Sequence, residues 1–217
     1  MGVQCSAEGG LPAYGAVVAN HLSYLDVLAF ASLRPFVMVA KSEVARWPLV
    51  GWLTTRAGTV YVVRGGGPPT YSAVNAAMAA AYRSGLPVLF FPEGTTTDGG
   101  AVEPFRRGLF HSVLNEDVPL RVAGLRYSIV GDAGSATVAD GVCWWGATLL
   151  APHLFRLLGL RGVKASIRFG AEVTQRADRF VLSETARLRV MELAEVSGEK
   201  IAGAVETPRE PVLVEAT

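Results

Sequence analysis

The chain has 217 residues, 50% of them hydrophobic and 18% charged, with a formal net charge of +1. That length suits one domain with a single core. The near-zero net charge lacks the basic excess of a nucleic-acid binder. A mean hydropathy of +0.32 is high enough to leave apolar surface after a core is filled, and such surface marks a partner or a membrane. No secretory signal and no uncharged apolar stretch of spanning length occur, so no membrane-spanning helix is expected. Cys5 and Cys143 lie far apart, outside any metal spacing or CxxC pair, and read as reduced thiols of a cytosolic compartment.

In chain order, short apolar runs at 16–19, 35–40, 59–63 and 87–91 read as buried strands. Helical patterns at 24–32, 44–57 and 70–83 lie between them, and the GGGPP run at 65–69 reads as a loop. Further strands are predicted at 120–127 and 163–169. The apolar window 142–158 contains Pro152, His153 and Arg156, which argue for an interfacial or core segment rather than a span. A last helix is predicted over 183–201 with Ser183 as its N-cap. The tail at 205–217, with two prolines and no periodicity, reads as disordered, leaving 1–204 as the domain. Alternation of strand and helix predicts an α/β fold: a mixed, largely parallel sheet flanked by helices.

Three segments carry chemistry. The first, Asn20-His21-Leu22-Ser23-Tyr24-Leu25-Asp26, follows a predicted strand and opens a predicted helix. A histidine there can act as a general base. On one helix, His21 and Asp26 would point about 140° apart. They can meet only if His21 precedes the helix, at the strand-to-helix turn. Asp26 would then orient the imidazole and stabilise its protonated form. The second segment is Phe91-Pro92-Glu93-Gly94-Thr95-Thr96-Thr97. Gly94 permits a sharp turn, and threonine hydroxyls and free amides can bind oxyanions. Glu93 could position an acceptor hydroxyl or tie the loop together. The third segment ends a strand in Arg64, whose planar fork matches phosphate.

In this order the segments NHLSYLD, GTVYVVR and FPEGTTT, followed by Val118-Pro119-Leu120, resemble the blocks of the glycerolipid acyltransferase family, the lysophosphatidate acyltransferases and their relatives. The resemblance covers roughly residues 17–170. It implies an acyltransferase-type single domain in which His21 is the catalytic base and Asp26 its partner. Arg64, Glu93, Gly94 and Thr95 match acceptor-binding positions, and Pro119 matches the last block. The implied donor is acyl-CoA or acyl-acyl-carrier protein as co-substrate, with no metal and no bound cofactor. The implied acceptor is a lysophospholipid, first of all 1-acyl-sn-glycerol 3-phosphate, giving phosphatidate. Alternatives are a lyso-amino-acid lipid, a non-catalytic membrane-binding module of the same fold, or a thioesterase in which the same base activates water. Peripheral contact with the cytoplasmic face of a membrane is expected.

No GxSxG elbow exists and neither cysteine neighbours a histidine, so direct attack by the acceptor hydroxyl is expected rather than a covalent acyl-enzyme. His111 and His153 are rival bases, each expected to be structural. Two departures from the family pattern bear on the acceptor. Thr96 stands where many members carry Arg, with Arg106 and Arg107 close enough to compensate. Members also commonly have apolar helices or a long segment ahead of the first block, whereas 19 residues precede Asn20. That fits either a chain lacking a front segment or one that binds membranes without spanning them.

Overall fold

The computed structural model describes residues 2–48, 50–63, 67–132 and 134–196, with the backbone alone for 67–71. Its elements in chain order are β1 (Gly2–Glu8), β2 (Ala16–Ala19), α1 (Leu25–Ala31), β3 (Val37–Lys41), a 3-10 turn (Ser42–Arg46), α2 (Val50–Arg56), β4 (Val60–Val62), α3 (Gly67–Arg83), β5 (Val88–Phe90), α4 (Phe110–Asn115), β6 (Leu120–Val130), α5 (Val138–Gly141), α6 (Leu150–Leu158), β7 (Gly162–Glu172) and α7 (Arg179–Leu193).

Among the described residues the strands form one seven-stranded sheet in the order β1-β7-β6-β2-β5-β3-β4. Every neighbouring pair is parallel except β6 and β7. The expected mixed, largely parallel α/β sheet is therefore present. Central strands covered on both faces read as unbroken apolar runs, and β2 is one: Ala16, Val17, Val18 and Ala19 are all fully buried. The pleat sends alternate residues to opposite faces. Ala16 and Val18 join Val88 and Phe90 of β5 in a core beneath α3, α4 and α7. Val17, Ala19 and Leu89 join Leu25 and Phe30 of α1 and Leu157 of α6 on the other face.

Several predicted boundaries move for identifiable reasons. The helix predicted over 44–57 is broken at Pro48 into the 3-10 turn and α2. Helix α3 starts at Gly67 rather than residue 70, taking Pro68 and Pro69 into its first turn, where a missing N–H costs nothing. The last helix starts at Arg179, not Ser183. Its N-cap is Asp178, which accepts from the N–H groups of Phe180 and Val181 at 2.7 and 2.9 Å. Ser183 is buried inside the helix with its hydroxyl on the Phe180 carbonyl. The remainder of that predicted helix beyond 196, and the 205–217 tail, lie outside the described residues.

The apolar window 142–158 ends in α6, an amphipathic helix. His153 and Leu157 face inward, while Leu154, Phe155 and Leu158 face out, with Phe155 77% exposed. Trp52 and Leu53 of α2 are exposed as well. Ring contacts of Trp144 with Trp47 and with Tyr24, and of Tyr24 with His153, draw the end of the 3-10 turn, the start of α1 and α6 toward one side of the molecule. Among the described residues no helix is long and apolar enough to cross a membrane.

Candidate active site

The site forms at the C-terminal ends of β2 and β5, which pair in parallel through Val18 and Phe90. Strand β2 ends at Ala19, opposite Ala123 of β6. Asn20 then continues the ladder with its side chain: the amide nitrogen donates to the Leu125 carbonyl at 2.9 Å and the amide oxygen accepts from the Leu125 N–H at 2.8 Å. At the opposite end of β2, Gly15 (φ +94°) lies where a Cβ would come within 2.5 Å of the Pro119 carbonyl. That carbonyl accepts from the Ala16 N–H at 2.9 Å. Pro119 thus sets the register between β2 and β6, well away from the chemistry.

His21 stands in the turn before α1, and Asp26 sits in the first turn of that helix. Nδ1 of His21 lies 2.7 Å from Oδ2 of Asp26. The same oxygen accepts from the Leu22 and Ser23 N–H groups at 2.7 and 3.1 Å, and Oδ1 accepts from the Tyr127 hydroxyl at 2.7 Å. With two backbone N–H groups and a hydroxyl donating to this carboxyl, its oxygen faces Nδ1 as the acceptor and Nδ1 faces it as the donor. Asp26 is fully buried, whereas the His21 side chain keeps 22% of its surface exposed. The imidazole stacks flat on Phe91, ring centroids 4.1 Å apart and planes 8° from parallel. Nε2 carries no hydrogen bond among the described residues and is the nitrogen left to face a substrate.

Glu93 and Gly94 follow β5 directly. Glu93 was expected among the substrate-binding residues, but it is 3% exposed and both its oxygens are occupied. Oε1 accepts from the His21 N–H at 2.7 Å and Oε2 from the Glu103 N–H at 2.8 Å. These hydrogen bonds tie the loop to the His21 backbone. Burial pushes its carboxyl up to about 8, against the pull of the Glu103 and His21 amides. Gly94 turns at φ +69°, a conformation that glycine adopts without strain. The loop then returns to the histidine, where the Thr97 N–H donates to the His21 carbonyl at 2.9 Å. Thr95 is exposed at the tip. The Thr95 and Thr96 N–H groups make no hydrogen bond among the described residues. Arg106 donates through Nε to the Glu93 carbonyl at 3.3 Å. Arg64 lies outside the described residues.

The rival bases are elsewhere. His153 is buried on the inner face of α6 with Nδ1 3.1 Å from the Tyr24 hydroxyl, and burial lowers its pKa. His111 is exposed on α4. Cys143 is buried, its thiol pushed up to about 12 by burial first and then by the nearby carboxylates, and it is unbridged, as is Cys5. Tyr127 and Phe91, which fix the Asp26 carboxylate and the imidazole plane, were not singled out in the sequence. Tyr127 reaches Asp26 across 101 residues.

Residues 11–122 match the family model described as Acyltransferase, slightly more than half of the chain. The chain belongs to the acyltransferase family. It is 36% identical over 152 residues to the lyso-ornithine lipid O-acyltransferase of Pseudomonas aeruginosa, covering 69% of this chain and 55% of the relative. To the enzyme of the same name from Rhodobacter capsulatus it is 34% identical over 163 residues, covering 74% and 58%. To the 1-acyl-sn-glycerol-3-phosphate acyltransferase of Neisseria meningitidis it is 29% identical over 170 residues, covering 77% and 64%. This acyltransferase-family chain therefore spans little more than half the length of these curated relatives. The crystal structure of the 1-acyl-sn-glycerophosphate acyltransferase from Thermotoga maritima superposes with a TM-score of 0.57 at 20% identity, covering 88% of this chain and 72% of that one. That likeness supports the fold.

Proposed function

We propose that this chain transfers an acyl group from a thioester to the free hydroxyl of a lysolipid, with His21 as general base. The observation that carries the reading is the His21–Asp26 pair: Nδ1 is fixed on a buried carboxylate and Nε2 is left open. Nε2 takes the proton of the acceptor hydroxyl as its oxygen attacks the thioester carbonyl. The tetrahedral oxyanion is met by the free Thr95 and Thr96 N–H groups of the loop that the Thr97 N–H ties to the His21 carbonyl. Collapse breaks the carbon–sulfur bond, and the leaving thiolate recovers the proton from the imidazolium, which Asp26 stabilises meanwhile. The donor is an acyl thioester of coenzyme A or acyl-carrier protein, and the proposed chemistry uses no metal or resident cofactor.

The acceptor we favour is a lyso-amino-acid lipid of the lyso-ornithine kind. Two relatives carrying that name are 36% and 34% identical to this chain over 69% and 74% of it, although the identities to the two kinds of relative overlap, at 28–36% and 29–31%. Thr96 removes a cation that would serve a phosphate head. The second reading, 1-acyl-sn-glycerol 3-phosphate gripped by Arg64, is favoured by Arg106, whose guanidinium stands beside the loop. Initial rates on lyso-ornithine lipid and on lysophosphatidate at matched concentrations decide between them. Faster turnover of the lyso-ornithine lipid, with Arg64→Ala harmless, is expected. A preference for lysophosphatidate, with acceptor KM raised roughly 10-fold by Arg64→Ala, would overturn the head-group assignment.

We also propose that the chain works on the cytoplasmic face of a membrane, peripherally. The outward apolar residues of α6 and α2, with Arg56 lying over the Trp52 ring and Arg156 near the surface, have the composition of an interfacial face.

A further inference from the structure

A cleft of about 630 Å³ opens between α3, α4 and α7, on the opposite face of the sheet from α1 and α6. Its lining includes Asn75, Arg107, His111, Asn115, Arg179 and Phe180, and among the described residues no carboxylate lines it. Such a volume lies within the usual range for a small-molecule site. The guanidinium of Arg107 lies 4.6 Å from the Phe180 ring centroid and that of Arg179 lies 5.3 Å from it. Two cations thus share one ring that is 49% exposed. Neither makes an ion pair or a hydrogen bond to an acceptor among the described residues.

Most other described arginines are engaged. Arg83 pairs with Glu116, Arg126 and Arg168 with Glu195, Arg176 with Asp117 and Arg187 with Glu184. A second cleft, lined by Arg126, Lys164 and Arg168, contains Glu8 and Glu195 to neutralise it. Among the described residues, only the α3/α4/α7 cleft gathers two unpaired guanidinium groups around one exposed aromatic ring. Two like charges held together repel, and an anion between them relieves that repulsion while forming charge-assisted hydrogen bonds. The amides of Asn75 and Asn115 and the imidazole of His111 add hydrogen-bonding groups.

One lining residue adjoins the bracing of the site in sequence. Arg107 is the chain neighbour of Arg106, which donates to the Glu93 carbonyl, and the Glu93 side chain accepts from the His21 N–H. We propose that the α3/α4/α7 cleft binds the phosphorylated nucleotide end of the thioester donor, with Arg107 and Arg179 on its phosphates and Phe180 against its base. This rests on the acyl-transfer reading, and it selects coenzyme A as the carrier. A concave site of this size fits a nucleotide. A carrier protein would need a surface of about 800 Å² on each partner, which a small cleft does not supply. The flexible pantetheine arm then carries the thioester from the cleft round to His21.

The test compares palmitoyl-CoA, palmitoyl-pantetheine and palmitoyl-acyl-carrier protein as donors for wild type, Arg107→Ala, Arg179→Ala and Phe180→Ala. A parallel calorimetric titration with free coenzyme A requires no turnover. Each arginine variant is expected to raise KM for palmitoyl-CoA roughly 10-fold and weaken coenzyme A binding by the same factor. The lysolipid KM and the palmitoyl-pantetheine kinetics stay at wild-type values. Unchanged KM for palmitoyl-CoA, an equal rise for palmitoyl-pantetheine, or a rise confined to the carrier-protein donor would each overturn the proposal. The two claims fail separately. Acceptor-dependent transfer with variants indifferent to the nucleotide removes the cleft alone. Arginine-dependent coenzyme A binding by a protein that transfers nothing removes the acyl-transfer reading alone.

Discussion

Asp26 and Glu93 are both withdrawn from water beside His21, yet they grip different parts of it. Asp26 holds the ring: one oxygen meets Nδ1 together with two backbone N–H groups, and the other meets the Tyr127 hydroxyl. Glu93 holds the backbone, joining the His21 amide to that of Glu103 on the far side of the loop. The Asp26 region combines a buried carboxyl with a partly exposed imidazole. The Glu93 region has no open valence toward solvent and keeps two loops at a fixed separation. Adjacent acids in one motif-rich site thus divide the work of orienting a reactive group and of bracing its support.

Substitutions can break this division or sharpen it. The largest effect is expected for His21→Ala, which lowers kcat by roughly 10²–10⁴-fold with an unchanged circular dichroism spectrum. Asp26→Asn comes next, at roughly 10²-fold or more in kcat. Its amide must present a donor to groups that already donate, so thermal melting should also show a loss of about 1–3 kcal/mol. Wild-type kcat in this variant would end the distinction between the two acids.

Glu93→Gln is expected to lower activity less than Asp26→Asn and to alter the pH dependence of stability instead. The Glu93 carboxyl is raised from 4.5 to about 8 by burial, so the folded protein binds its proton more tightly than the unfolded chain does. Its contribution is complete below pH 4.5 and is lost as pH rises toward 8. Melting temperatures across pH 5–8 should fall less steeply in Glu93→Gln than in wild type. Parallel slopes would show that Glu93 does not titrate in that window.

Tyr127→Phe removes one donor to Asp26 and leaves three. A loss of about 1 kcal/mol in stability and a severalfold drop in kcat are expected, with lysolipid KM unchanged. The smallest catalytic effect belongs to Phe155→Glu on the outer face of α6. Turnover of a short-chain, water-soluble acceptor should stay at the wild-type rate, while flotation with anionic liposomes weakens. Equal flotation of both proteins would remove α6 from the membrane-facing surface.

Much of this arrangement could be read from residue order. The strands 16–19 and 87–91 were recognisable because a central parallel strand buries every residue, leaving runs such as AVVA and VLF. The five-residue interval from His21 to Asp26 already required the histidine to precede the helix, where it stands. Edge strand β1 was not legible: its residues are almost all exposed and it is held by its ladder to β7, which no local pattern announces. The hold of Tyr127 on Asp26 depends on β6 lying beside β2, a tertiary fact. Ser183 resembled a cap because serine often is one, but Asp178, five residues earlier, reaches both free amides. The α3/α4/α7 cleft gathers side chains from three helices and has no sequence motif of its own.

The most direct test of the central claim follows a radiolabelled acyl group. Purified protein is incubated with labelled acyl-CoA, with and without lysolipid, and the label is traced to lipid, free acid and protein. Direct transfer under a histidine base predicts label in a two-chain lipid only when the acceptor is present, with none retained on the protein. Free fatty acid released at the same rate without acceptor, or label bound covalently to the chain, would contradict it.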